Sequence, residues 1–515
     1  MTTVRPWTAL AALLPLSLCL IKGVNGHEGH HADVPEGEVI TAEPLDSILW
    51  IHIVLMGLSF GIIFPLGMVL GIVRSRWHVP VQVAGTVIAV LAYFLGHAHK
   101  GRQFAPNIHE AFATSLMLML AIQVFLGVYL KLHLSRGVHG KLRPWAVRLH
   151  GIVGKVMPIA SWVQMLFGGI TALGFCHDDH LGQCAAHFIM GSAFIAYGIL
   201  LTILLLVGQF WLRRTGRSQE FFDSVVIAVW GCINTFTEHR WGQEWAHNDL
   251  QHTSMGIVWW CAGLLGIWLS RKRNGRPKRN LIPGIVILLT GYAMSAHTQE
   301  LMLSTMVHAV FGYTLMAAGA ARIVEISFVL GDRSTLSADG TDPNSFQYLT
   351  PFLLCASGFL FMGATEEQMK MLSDAGVMHV SYILILYSMA FFLFLFVNVL
   401  LHIYAVHVWP ETATATKPRS SRKPGLSKTR RGRARDENGT ATAPGESMNG
   451  HVRTPPEAQR VRDAEAFELE GLMSDEGEDM LDVNGNRRDE ENIPLVSRGG
   501  VDPDAVEIKD LEERR

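Results

Sequence analysis

Charge is what this 515-residue chain has least of: 17% of its residues are Asp, Glu, Lys or Arg, against roughly 25% in an average soluble protein. The shortage is sharper over the first 410 residues, which hold 25 Lys+Arg and 22 Asp+Glu. Such a body cannot cover itself with an ordinary wetted surface, which excludes one or two water-soluble domains. Cysteine is also scarce, six residues with no spacing of a cysteine zinc site. No G-x-G-x-x-G strand–turn–helix unit is present, so a flavin or nicotinamide would have to arrive on another protein or as a diffusible molecule. No feature points to a nucleic-acid partner.

What the chain does have is apolar sequence, 49% of its residues. Eleven windows lie near the roughly 20 residues needed to cross a bilayer: 47–73, 79–96, 109–132, 150–174, 186–212, 222–237, 252–270, 281–297, 300–330, 347–363 and 377–408. The ninth and eleventh are long enough to tilt, and the sixth and eighth are short. The predicted fold class is therefore an all-α polytopic membrane protein with about eleven transmembrane helices. Before it, Arg5, an apolar run over 7–21 and a polar break read as a signal peptide over 1–26, with an uncleaved anchor as the alternative. The His-rich segment 27–46, containing His27, His30, His31 and Asp33, would be luminal or external and can bind copper or zinc weakly.

Loop charge fixes an expected orientation. Lys and Arg gather at 74–76, 131–148, 213–217, 271–279 and 417–435, on alternate loops. By the positive-inside rule these face the cytosol, with the N-terminus luminal or extracellular. The tail 411–515 is then cytosolic and, lacking any apolar period, is expected to be disordered. Plasma, vacuolar and secretory-pathway membranes all accept this topology. Cys176 and Cys184 flank a short loop on the oxidising side, where a disulfide and free thiols are both open readings. Cys232, Cys261 and Cys355 lie in apolar windows as small core residues.

Histidines carry the chemistry. An imidazole inside an apolar helix is costly, and its presence points to function. His52 and His109 open the first and third helices from outside, whereas His78 and His150 open the second and fourth from the cytosol. In an antiparallel four-helix bundle, alternate helices can face one another across the core and grip a cofactor between them. Bis-histidine haem iron requires two neutral imidazoles on opposite faces of a macrocycle, and Gly57, Gly61, Gly67, Gly151 and Gly154 would permit close approach. The bland reading of each histidine is a ring resting at the headgroups, or satisfied by a hydroxyl or water.

The stretch from His52 through Pro65 and Gly67 to Arg74 resembles the first core helix of cytochrome b-561-like domains. Trp77-His78 to Gln82 is similar to the start of their second, and His109 with Gln123 and Gly127, then Arg148-Leu-His150 to Gly154 with Gly168-Gly169, to the third and fourth. The resemblance implies two haems b, one on His52 with His109 and one on His78 with His150. The remainder resembles the C-terminal part of the fungal YTP-type integral membrane proteins, through 237–245, Asp249 to His252, and His308 to Glu325.

A second group comprises Glu238, His239, His252, His297, Glu300, His308 and His379. Imidazole and carboxylate together suit a divalent metal or a proton relay. A third haem on His252 or His297 with His308 or His379 is another option, and ordinary polar loop residues the plain one. Outer-loop His97, His99, Lys100 and Arg102 would attract an anionic reductant or a metal chelate. The domain reading is a haem-type membrane domain over 47–215, a second helical bundle over 216–410, and the tail. The leading functional reading is a transmembrane haem-b protein passing single electrons, as a reductase of ferric chelates or a similar acceptor. Donor and acceptor are not identified by the sequence, and no catalytic residue is assigned. The alternatives are a metal- or proton-binding transporter without haem, and a scaffold whose tail recruits partners.

Overall fold

The computed structural model describes residues 43–408, apart from 135, 178–180, 240–243, 246, 297–298, 300 and 332–342. The signal-peptide and His-rich segments and the tail lie outside the described residues, as do His297 and Glu300. Among the described residues there is no strand, only an isolated bridge between Arg271 and Pro277.

The first helix, α1 (Ser47–Leu58), starts where Asp46 caps the Leu49 amide. It runs through a π turn, Ser59–Ile63, into α2 (Phe64–Ile72). Pro65 has no N–H to donate, so the preceding turn widens to find other partners. There Ser59 donates to the Gly85 carbonyl of α3 (His78–Ala98). Next come α4 (Ile108–Lys131), capped by Asn107, and the 36-residue α5 (Val138–Leu173). Helix α3 packs on α1 and α2, α4 packs on α5, and α5 touches the π turn and α2. Between the two ends of this bundle lies a dry layer of Phe60, Phe64, Ala89, Leu116, Leu120 and Met157.

The second half adds α6 (Leu181–Leu206), α7 (Gln209–Thr215), α8 (Gln219–Thr237), α9 (His247–Leu269), α10 (Ile282–Ser295), α11 (Met302–Val324), α12 (Leu349–Met362), α13 (Glu366–Asp374) and α14 (His379–Val408). Helix α12 is central: its apolar window is 67% buried, and α6, α11 and α14 all pack on it. Helix α14 also reaches α2, tying the halves together. A Cβ on Gly291 of α10 would stand 2.6 Å from the Gly312 carbonyl of α11. That contact is close enough that only glycine admits it, the small-residue packing membrane helices use in place of a hydrophobic drive.

All eleven predicted windows coincide with helices. Among the described residues nine helical stretches are long and apolar enough to cross a membrane, and the chain is an all-α multi-pass membrane protein. The two others are the sixth and eighth windows. The first of these lies in α8, where Glu220 and Asp223 lower the apolarity; the second is the 14-residue α10, about 21 Å long at 1.5 Å per residue. Outward-facing Phe125, Trp268 and Phe328 are each more than 70% exposed, as side chains against lipid tails would be.

An ionic group is buried among α8, α11 and the loop before α10. Arg322 reaches Glu220 (3.0 Å) and Glu325 (2.8 Å), and Arg279 reaches Glu220 (2.8 Å). The Tyr197 hydroxyl donates to Asp223. Each carboxylate thereby gains the partner that burial demands.

Candidate metal centres

The four N-terminal histidines meet in two crossed pairs. The His52 and His109 rings lie 6.5 Å apart between centroids, at 89°. His78 and His150 lie 6.3 Å apart, also at 89°. One pair stands at the end of the bundle that carries the loop before α6, the other at the opposite end.

His52 and His78 are each seated on a neighbouring helix by the same device. The His52 Nδ1–H donates to the Ala92 carbonyl (2.7 Å), and a Cβ on Gly96, four residues on, would stand 2.6 Å from the ring. His78 donates to the Gly67 carbonyl (2.7 Å) over Gly71, whose Cβ would come to 2.7 Å. The His109 Nδ1 lies 3.3 Å from the Gln164 carbonyl and 2.9 Å from the Gln164 side-chain amide nitrogen, over Gly168. His150 sits over Gly127, four residues beyond Gln123, its Nδ1 buried without a hydrogen-bond partner. Two glutamines complete the symmetry: the Gln164 side-chain amide donates to the His109 carbonyl (2.9 Å), and that of Gln123 to the His150 carbonyl (3.0 Å).

The device has a chemical consequence. A carbonyl only accepts, so a ring bonded through Nδ1 carries its proton there and leaves the Nε2 lone pair available to a metal. The seating glycines are Gly71, Gly96, Gly127 and Gly168. Gly127 and Gly168 are among the residues that carry the family resemblance, whereas of the glycines expected to permit close approach Gly57 and Gly151 meet nothing, Gly61 faces Met165, and Gly67 and Gly154 face Gln82 and Gln123.

Beside His78 opens a cavity of about 500 Å³, lined by Gly71, Arg74, Arg76 and Lys131 among others. That is within the size range of cofactor pockets, and its rim is cationic. At the opposite end lie the outer-loop residues Lys100 and Arg102. Arg102 is spent on the carbonyls of Glu43 and Ala172, and the Lys100 amide on Asp46. The Lys100 and Leu49 amides hold the Asp46 carboxyl below the usual carboxylate range. The clasp is therefore present at neutral pH and released as pH falls through that lowered value.

The described members of the second predicted group fall in separate places. His252 pairs with Glu238 (3.3 Å) and His239 with Asp249 (3.2 Å), the latter stacked on Trp245. His379 stands at the start of α14. His308 is buried elsewhere, 5.9 Å from the ring of His187, a residue sequence reasoning passed over because it lies inside an apolar run with no polar neighbour pattern. Cys176 and Cys184 are joined in a disulfide, Cα atoms 5.2 Å apart. Among the described residues the one cluster of three potential metal donors is these cysteines with Glu367, and the disulfide takes both thiols from it. Cys355 is buried, whereas Cys261 is exposed on the apolar exterior.

Residues 160–405 match the family described as "Protein YTP1-like, C-terminal", and residues 32–133 match a domain of unknown function. The chain is 48% identical to Protein YTP1 of Saccharomyces cerevisiae over 249 residues, 48% of this chain and 52% of that relative. Its C-terminal membrane region thus carries the YTP1-like domain, and the chain is similar to a YTP-type membrane protein. Two uncharacterized membrane proteins are similar as well. One, from Schizosaccharomyces pombe, is 22% identical over 63% of this chain and 88% of its own length. The other, from S. cerevisiae, is 27% identical over 31% of this chain and 28% of its own length. The chain thus spans about half the length of its YTP1 relative. No solved structure matches. The two matched regions divide between residues 133 and 160, and α5 serves both halves: His150 faces the first bundle, while Trp162 donates to Ser192 of α6 (3.0 Å).

Proposed function

We propose that this YTP1-like protein is a membrane haem-b protein that passes single electrons between the two faces of the bilayer, as a cytochrome b-561-like domain would. The observation that carries the reading is the pair of crossed imidazoles at 6.5 and 6.3 Å. With each nitrogen about 2 Å from a shared metal, two axial rings stand about 6 Å apart between centroids. The seating supports the same fit: the rings bonded through Nδ1 keep Nε2 for a metal, over glycines that leave no Cβ to displace them.

Haem bound at these positions would supply reversible one-electron chemistry at iron. The residues of this chain would do the rest. His52 with His109, and His78 with His150, would hold the group and keep other ligands off the metal. The Nδ1–carbonyl bonds fix ring orientation and raise ligand basicity. Phe60, Phe64 and Leu116 keep water from the layer between the sites. Arg74, Arg76 and Lys131 offer positive charge to the propionates of the cofactor or to an anionic partner at the mouth of the cavity. In this reading the disulfide end faces the lumen or exterior and the basic end the cytosol.

Purified protein should show an intense Soret band that shifts on reduction with dithionite, and His52→Ala and His78→Ala should each remove about half of it. A colourless preparation would refute the electron carrier. Colourless protein with stoichiometric metal would instead favour a metal or proton carrier built on the polar groups of the second bundle.

A further inference from the structure

We propose that Cys176, Cys184 and Glu367 bind a zinc ion once the disulfide between the two cysteines is reduced. Two sulfurs and a carboxylate converge here: one donor atom from each residue lies within 4.8 Å of the others. Zinc takes thiolate sulfur at about 2.3 Å and carboxylate oxygen at about 2 Å, so a tetrahedral site spreads its donors about 3–4 Å apart. Small side-chain rotations therefore bring the three onto one ion. The donor set selects the metal. Two thiolates alone would suit cuprous copper, but a carboxylate is a hard oxygen ligand that zinc accepts and a soft cation does not. Three protein ligands leave the fourth position open to water or another ligand, unlike a closed structural site.

The fold holds both sides of the site by contacts other than the S–S bond. On one side the Gly174 and Phe175 amides donate to the Ile170 carbonyl near the end of α5, and Phe175 is buried. On the other, Glu367 stands in the first turn of α13, which Thr365 and Gln368 close with a reciprocal cap. The Cys176 amide donates to the Glu367 carboxylate (2.8 Å), which keeps that side chain beside the sulfurs. Cys176 is held at φ 67°, a left-handed backbone that a non-glycine residue keeps only where its surroundings over-determine it, and such positions gather at binding sites.

Reduction requires a dithiol, on a small molecule or a partner protein. One of its thiolates attacks the sulfur of Cys176, which is half-buried where Cys184 is fully buried, forming a mixed disulfide and releasing the Cys184 thiolate. The second thiol attacks the donor's own sulfur in that mixed disulfide, so the donor leaves as a disulfide and Cys176 is freed. Two electrons and two protons have then passed to the protein, and zinc displaces the two protons as it binds. The site holds metal only under reducing conditions, and it does not rest on the electron-carrier reading.

Zinc per chain, measured by mass spectrometry on the full-length protein purified in detergent and incubated with zinc chloride, tests the site before and after reduction with tris(2-carboxyethyl)phosphine. The comparison set is the unaltered protein, Cys176→Ser, Cys184→Ser and Glu367→Gln. Reduction should add one zinc per chain to the unaltered protein and none to either serine variant. Glu367→Gln should hold that zinc at least about tenfold more weakly, the cost of losing even a group that only supports a ligand. Cys232, Cys261 and Cys355 are free in all four proteins, so any zinc they take is present before reduction and cancels. In the reduced unaltered protein, zinc should also protect Cys176 and Cys184 from alkylation by N-ethylmaleimide, a readout that needs no variant to fold. No zinc gained on reduction, or a disulfide that resists the phosphine in the folded protein, would overturn the site. So would an equal gain in the serine variants, undiminished affinity in Glu367→Gln, or alkylation of the two cysteines unaffected by zinc.

Discussion

On the proposed haem-b reading, Gly96→Val should abolish haem binding at the disulfide end and Gly71→Val at the other end, each lowering the Soret absorbance by about half. The reason is geometric. A Cβ at residue 96 would stand 2.6 Å from the His52 Nδ1, and one at residue 71 would stand 2.7 Å from that of His78. Neither ring can recede without breaking its 2.7 Å bond to a backbone carbonyl. A displaced imidazole loses both its tautomer lock and its aim. Because the two cradles lie at opposite ends, each substitution should leave the other centre intact. Combining Gly96→Val with His52→Ala should lower the absorbance no further than either alone, since both act on one site. Gly182→Val, at an exposed glycine with open space around it, should change nothing. Full absorbance in Gly96→Val and Gly71→Val would mean that these glycines do not seat the ligands.

Arg322→Met should be the most destabilising substitution in the second bundle. The guanidinium is 5% exposed and bridges Glu220 and Glu325, which are 0% and 4% exposed. Removing one member of a buried ion pair typically costs about 3–5 kcal/mol, because the remaining charge stays buried without compensation. Arg322→Lys keeps the charge but not the two-pronged donor that serves both carboxylates at once, and should fall in between. Adding Glu325→Gln to Arg322→Met should recover part of the loss, since less uncompensated charge is then buried. The thermal unfolding midpoint in detergent reads all three. A midpoint in Arg322→Met equal to that of the unaltered protein would show that the group does not hold these helices together.

Much of this architecture follows from local pattern. Apolar runs of bilayer length placed every long helix, because a membrane demands one satisfied backbone conformation over a fixed thickness. The positions of His52, His78, His109 and His150 near helix ends could be read directly, and so could the odd-with-odd, even-with-even pairing, since antiparallel spans alternate ends. The seating was hidden. Ala92 with Gly96, Gly67 with Gly71, Gln123 with Gly127 and Gln164 with Gly168 all share a four-residue spacing, but small residues at that interval recur throughout membrane helices. Only the rotation of each helix says which glycine lies under an imidazole.

Sequence by itself determined the helices, their lengths and the ends at which polar side chains stand, because these depend on local apolarity and periodicity. Tertiary structure alone decided partnership in the second bundle. It drew His308 to His187, a residue on a helix that packs beside the same α12, and left His252 with Glu238 and His239 with Asp249. It also gathered Glu220, Arg322 and Glu325 into one buried ionic group. Which side chains meet depends on helix order and rotation in three dimensions, and those are fixed by close packing between segments far apart in the chain.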